Sequence, residues 1–86
     1  MEDKLNQITE IITSLTEDTA IPKNIRKALS DARDRLKGQD DINVKVSAAI
    51  YLIESISEDI NMPSHARTQV WAVMSMLESL KLNANQ

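Results

Sequence analysis

The sequence predicts an all-α fold, an antiparallel up-down four-helix bundle built from two similar helical hairpins with pseudo-two-fold symmetry. Three observations predict it. Apolar residues recur at intervals of three and four along four segments, drawing one stripe down each of four helices. The 86 residues include one Gly and two Pro, too few for the turns of an all-β fold, while Ala, Leu, Lys, Glu, Asp and Ser are plentiful. The chain also repeats itself: a shift of 41 residues lays Ile12 on Ile53, Ser14 on Ser55, Glu17 on Glu58, Asp18 on Asp59, Pro22 on Pro63, Arg26 on Arg67 and Leu36 on Leu77. Two repeats of this length are too few for an open solenoid and are expected to close on each other.

The first helix is expected over about residues 2–17, where Leu5, Ile8, Ile11, Ile12 and Leu15 form the stripe. Thr19, Ala20, Ile21 and Pro22 break it, and proline suits the opening turn of a second helix because its missing N–H has no partner there anyway. That helix should run from about Pro22 to Lys37, with Ile25, Ala28, Leu29, Ala32 and Leu36 inward. Gly38 stands where a left-handed cap is expected, and Asp40 or Asp41 can cap the helix that follows. The third helix, about Ile42 to Asp59, aligns Val46, Ala49, Ile50, Ile53, Ile56 and Ile60, with Ala48, Tyr51 and Leu52 widening the stripe. The fourth starts near Pro63 and turns Ala66, Val70, Val73, Met74, Leu77 and Leu80 inward. One domain, 1–86, thus comprises hairpin one (2–38) and hairpin two (40–82), with residues 83–86 expected to fray.

A chain this short buries roughly two-thirds of the surface it exposes when unfolded. Its filling must come from Ile, Leu, Val, Ala and Met, because there is no Phe and only one Trp and one Tyr. The absence of Cys rules out a disulfide framework, a thiolate metal site and a Cys nucleophile. The amino end, Met1-Glu2-Asp3-Lys4, lacks the basic start and apolar run of a secretory signal, and no apolar run is long enough to span a bilayer, so a cytoplasmic protein without membrane contact is expected. A net charge of -3 argues against broad binding to nucleic acid or anionic lipid.

The duplicated charged turn is the first candidate site. Glu17 and Asp18 lie at the end of the first helix, where the macrodipole disfavours negative charge, and Lys23 and Arg26 lie at the start of the second, where it disfavours positive charge. Opposite signs one turn apart compensate each other, and Glu58, Asp59 and Arg67 around Pro63 repeat the arrangement around Pro22. The favoured reading is structural: Arg26 and Arg67 bridge to these acids and fix the hairpin geometry. The functional alternatives are an anion site at either arginine and a divalent-metal site on Glu17 and Asp18.

His65 is the only histidine, and nothing around it resembles a catalytic triad or a His/Glu metal motif, so a solvent-facing residue is expected. A Gly-rich phosphate loop is excluded by glycine content, and neither an enzyme nor a cofactor is expected. The second helix concentrates Lys23, Arg26, Lys27, Arg33, Arg35 and Lys37 against Asp31 and Asp34. Lys23, Lys27, Arg33 and Lys37 are therefore candidate phosphate contacts, although no aromatics interleave them for base stacking. The third helix is apolar nearly all round, which means either a central position in the bundle or an outer side that meets another subunit. Tyr51, Trp71 and Met74 are the candidate interaction surface, with self-association or another protein as partner and RNA or DNA as the alternative.

Taken together, Ser14-Leu15-Thr16-Glu17-Asp18, Ile21-Pro22-x-Asn24-Ile25-Arg26, Glu58-Asp59-x-Asn61-Met62-Pro63-x-His65-Ala66-Arg67-Thr68 and Trp71 resemble the archaeal "uncharacterised protein family zero-one-four-seven". The resemblance covers about residues 8–80. It implies a short helical bundle in an archaeal cytoplasm and brings no activity with it. The residues matching its motif are Asp18, Pro22, Arg26, Asp59, Pro63, His65, Arg67 and Trp71, and the resemblance attaches no role to them.

Overall fold

The computed structural model describes residues 2–84. Among them are four α-helices and no strand: α1 (Glu2–Thr16), α2 (Lys23–Leu36), α3 (Ile42–Ser57) and α4 (Ser64–Ala84). Each helix follows its apolar stripe. Ile8, Ile12 and Leu15 of α1, Ile25, Leu29, Ala32 and Leu36 of α2, Val46, Ala49, Ile50, Ile53 and Ile56 of α3, and Ala66, Val70, Val73, Leu77 and Leu80 of α4 are buried in one continuous core. Among the described residues no polar or charged side chain is buried with them, as expected of a core that offers no partner for such groups.

The helices pack in a ring, α1 on α2, α2 on α3, α3 on α4 and α4 on α1, and among the described residues no close backbone approach spans a diagonal. The α2–α3 seam is the most extensive and the α1–α4 seam the thinnest. Burial follows the 41-residue offset. Ile8, Ile12, Leu15, Ile21, Ile25, Leu29, Ala32 and Leu36 are buried, and so are Ala49, Ile53, Ile56, Met62, Ala66, Val70, Val73 and Leu77.

Several boundaries differ from the sequence expectation. The helix α3 stops at Ser57, so Ile60, placed in line with its inner face, instead sits in the following turn and is 90% exposed. Spacing alone carried it there, because a residue four places after Ile56 shares its face only while the helix continues. At its far end α4 extends through Ala84, and Asn85 and Gln86, the rest of the segment expected to fray, lie outside the described residues. Gly38 is not left-handed: the glycine has no positive φ. Lys37 closes α2 at φ -85° and ψ -5°, and Gly38 donates its N–H to the Arg35 carbonyl at 3.1 Å. What the glycine supplies is room, since a Cβ there would stand 3.3 Å from that same oxygen. Asp41 caps α3 as anticipated, accepting the Asn43 N–H at 3.0 Å.

Candidate functional site

Both hairpins turn on the same backbone frame. After α1, the Asp18 N–H reaches the Leu15 carbonyl, the Ile21 N–H reaches the Asp18 carbonyl, and the Ile25 and Arg26 N–H groups converge on the Pro22 carbonyl. After α3 the corresponding donors are Asp59, Met62, Ala66 and Arg67, and their acceptors are Ile56, Asp59 and Pro63. In each turn the residue before proline, Ile21 or Met62, plugs the end of the core. The proline then opens the next helix without forfeiting a hydrogen bond.

The turn carboxylates do two jobs each. Asp18 Oδ1 accepts the Ala20 N–H at 2.9 Å and Asp59 Oδ1 accepts the Asn61 N–H at 2.8 Å, a side-chain turn that stands in for a backbone one. The other oxygen reaches across to the opposite hairpin. Asp18 Oδ2 lies 2.7 Å from His65 Nε2 at the start of α4, and Asp59 Oδ2 accepts from Asn24 Nδ2 at 3.3 Å at the start of α2. Asn24 and His65 are themselves 41 residues apart, so the two cross-hairpin bonds are counterparts.

The arginines do not bridge to the acids as the sequence suggested. Arg26 donates Nε to the Ile21 carbonyl at 2.9 Å, and Arg67 donates Nη2 to the Asp59 carbonyl at 3.2 Å. A carbonyl oxygen has two lone pairs to offer, and the Asp59 carbonyl takes Arg67 beside the Met62 N–H, whereas the aspartate side-chain oxygens are already used by turn N–H groups and by the other hairpin. Glu17 and Glu58 remain exposed. Among the described residues no three His, Cys, Asp or Glu side chains are grouped to hold a metal ion. His65 is solvent-facing, as expected, and it also carries one of the pair of bonds that join each turn to the opposite hairpin. Neither Asn24 nor the His65 pairing was identified from sequence, and the matching positions of Asn24 and His65 in the repeat were the only available signal.

The bond with His65, followed by the Ala20 N–H, holds the Asp18 carboxyl below its ordinary value of 3.8, aided by the charges of His65 and Arg26 and opposed by partial burial. An unfolded chain therefore binds more protons than the folded one in the window at and below pH 3.8. The contribution of Asp18 to stability is complete above that window and is lost as pH falls through the lowered folded value. Thermal melts of Asp18→Asn should accordingly show a shallower acid-side decline than the parent between about pH 2 and 5.

Two surfaces complete the picture. Thr16 at the end of α1 and Lys23, Arg26, Lys27, Ser30 and Arg33 of α2 line an open groove of about 500 Å³. Of the four candidate phosphate contacts, Lys37 is the exception: it lines a separate hollow with Leu5, Asn6, Thr9, Leu36 and Lys45. On the second hairpin, α3 leaves Tyr51 75% and Val44 51% exposed, and Trp71 of α4 is 56% exposed. Tyr51 also lines a small apolar hollow with Arg35, Ala48 and Leu52. Met74, grouped with these two aromatics from sequence, is half-buried and packs against the core, because it falls beside Val73 and Leu77 on the inner side of α4.

Among the described residues no helix is long and apolar enough to cross a membrane. The profile of the Uncharacterised protein family (UPF0147) matches residues 1–80. A UPF0147 protein from Methanothermobacter thermautotrophicus is 39% identical over 80 residues, spanning 92% of this chain and 78% of the relative. One from Pyrococcus furiosus is 40% identical over 83 residues, spanning 94% and 89%. The crystal structure of the unknown-function protein MMP1188 superposes with a TM-score of 0.87 at 40% identity, covering 91% of this chain and 90% of that one. A UPF0147 crystal structure from Thermoplasma acidophilum gives 0.86 at 25% identity, covering 92% and 94%. With the profile extending from the first residue to the end of the core, this chain belongs to the Uncharacterised protein family UPF0147.

Proposed function

We propose that the protein is a non-catalytic interaction module of the cytoplasm that self-associates through the outer surface of its second hairpin. The supporting observation is the position of its aromatic residues. Tyr51 and Trp71, the only two aromatics in the chain, both point into solvent from hairpin two. Their counterparts 41 residues earlier are Glu10 and Ser30, and those of the exposed Val44 and Ile60 are Asp3 and Thr19. The same architecture is thus built in hairpin one with polar groups at these places, and packing within the chain does not call for the apolar ones. Exposed aromatics with an apolar body and a polar tip suit a protein contact. An isologous pairing of two copies needs only one such surface, and small domains gain stability by it.

This reading rests on an antiparallel up-down bundle whose hairpins are related by a pseudo-two-fold axis. The recurring turn bonds and the matched buried positions support that arrangement.

Sedimentation equilibrium at submillimolar concentration tests the proposal. The parent should behave as a dimer, and Tyr51→Glu/Trp71→Ser, which installs the residues of hairpin one, should be a monomer with an unchanged helical spectrum. A parent that stays monomeric throughout, or a variant that associates equally well, would overturn it.

A further inference from the structure

We infer that the groove along α2 is a binding site for a compact polyphosphate, that is, a small molecule presenting two or more adjacent phosphate groups. Four cationic side chains, Lys23, Arg26, Lys27 and Arg33, line it together with the hydroxyl-bearing Thr16 and Ser30, and no carboxylate is in the lining. Six of the ten Lys and Arg residues of an acidic chain fall between positions 23 and 37. Such crowding has a cost, since Lys23 and Lys27 stand one helical turn apart and repel each other.

The two arginines are hydrogen-bonded by uncharged oxygens, although Arg26 also feels the Asp18 carboxylate. Arg26 is tethered to the Ile21 carbonyl, and Arg33 donates Nη1 to Thr13 Oγ1 and Nη2 to Ser30 Oγ, both at 3.3 Å. Uncharged oxygens fix their direction and leave their charge available. The acids nearby compete weakly: Asp31 pairs with Lys27 at 3.2 Å with both side chains open to water, and Asp34 stands 3.9 Å from Arg33. The first turn of α2 carries no acidic residue, and Pro22 provides no side-chain cap, so the partial positive charge of the helix start adds to the same field.

The second hairpin serves as an internal control. Forty-one residues on from Lys23, Arg26, Lys27, Ser30 and Arg33 stand Ser64, Arg67, Thr68, Trp71 and Met74. Only the arginine recurs, and in both places it bonds a turn carbonyl. The recurrence ties Arg26 and Arg67 to the turn, whereas the second hairpin forms without a cation in the places of Lys23, Lys27 and Arg33.

A volume of about 500 Å³ accommodates a small molecule. No aromatic lines the groove to stack a base, and the chain carries a net charge of -3, which disfavours a long nucleic-acid track.

Calorimetric titration of the full chain with tripolyphosphate, at low and then moderate salt, tests the site. One equivalent should bind, more weakly as salt rises, and each cation removed in Lys23→Ser, Lys27→Thr and Arg33→Met should weaken binding by about tenfold. Lys23→Ser/Lys27→Thr changes only exposed side chains, so its weaker binding can be read in a folded protein whatever Arg33→Met does to stability. Absence of binding, equal binding by parent and variants, or tighter binding of a single-stranded RNA oligomer than of tripolyphosphate at the same salt would overturn the assignment.

Discussion

Replacing Ile53 with Ala is expected to destabilise the protein by about 3 kcal/mol and to lower its melting temperature by roughly 15 °C. Ile53 is completely buried in the middle of α3, and a core without Phe has no large ring able to move into the gap. A loss of that size is a substantial share of the roughly 5–15 kcal/mol that holds a typical domain together. Ile12→Ala should cost a comparable amount, because Ile12 is also completely buried and occupies the matching place in α1. Ile60→Thr is the control: the side chain is 90% exposed and its counterpart is already Thr19, so the change should stay within about 0.5 kcal/mol. Urea or thermal melts of the three variants check the set. If Ile12→Ala were harmless while Ile53→Ala unfolded the chain, the equivalence of the two halves would fail.

The second large effect is expected at the turn arginines. Arg26→Ala removes a charge-assisted hydrogen bond to the Ile21 carbonyl and uncovers a half-buried stem, for a loss of about 1–2 kcal/mol, or roughly 5–10 °C. Arg67→Ala should cost less, because the Asp59 carbonyl keeps the Met62 N–H when the guanidinium is removed. A double-mutant cycle separates this arrangement from an ion pair. Since Arg26 holds a carbonyl and Asp18 is bonded by His65 and Ala20, the effects of Arg26→Ala and Asp18→Asn should be close to additive. Strong coupling between them would restore the carboxylate bridge that the spacing of charges first suggested.

Much of the fold could be read in advance because its determinants are local. Ile12 and Ile53 announce their faces through spacing, Pro22 and Pro63 mark where two helices begin, and Asp41 caps the helix it precedes. Ile60 was misplaced because periodicity carries no record of where a helix ends. Gly38 was misread because a glycine after a helix has two uses, a left-handed φ or simple clearance, and composition does not separate them.

The candidate site was less legible, and for a different reason. Charges near one another in sequence drew attention to Arg26 with Asp18, whereas the partner of Asp18 is 47 residues away and that of Asp59 is 35 away. Such contacts exist only once the hairpins have docked. The exposure of Tyr51 and Trp71 likewise depends on how two helices rotate against their neighbours, which is settled by the whole core and not by either helix alone.

The unequal seams of the ring have a mechanical consequence. The helix α1 meets α2 along a narrower seam than α3 shares with either of its neighbours, and α4 along the narrowest of all. Among the described residues α1 is thus the least tightly held helix, and hydrogen exchange is expected to be faster there than in the other three. The bond between Asp18 and His65 ties the turn after α1 to the start of α4, so the amides near the half-buried Leu5 are expected to exchange ahead of those near Leu15.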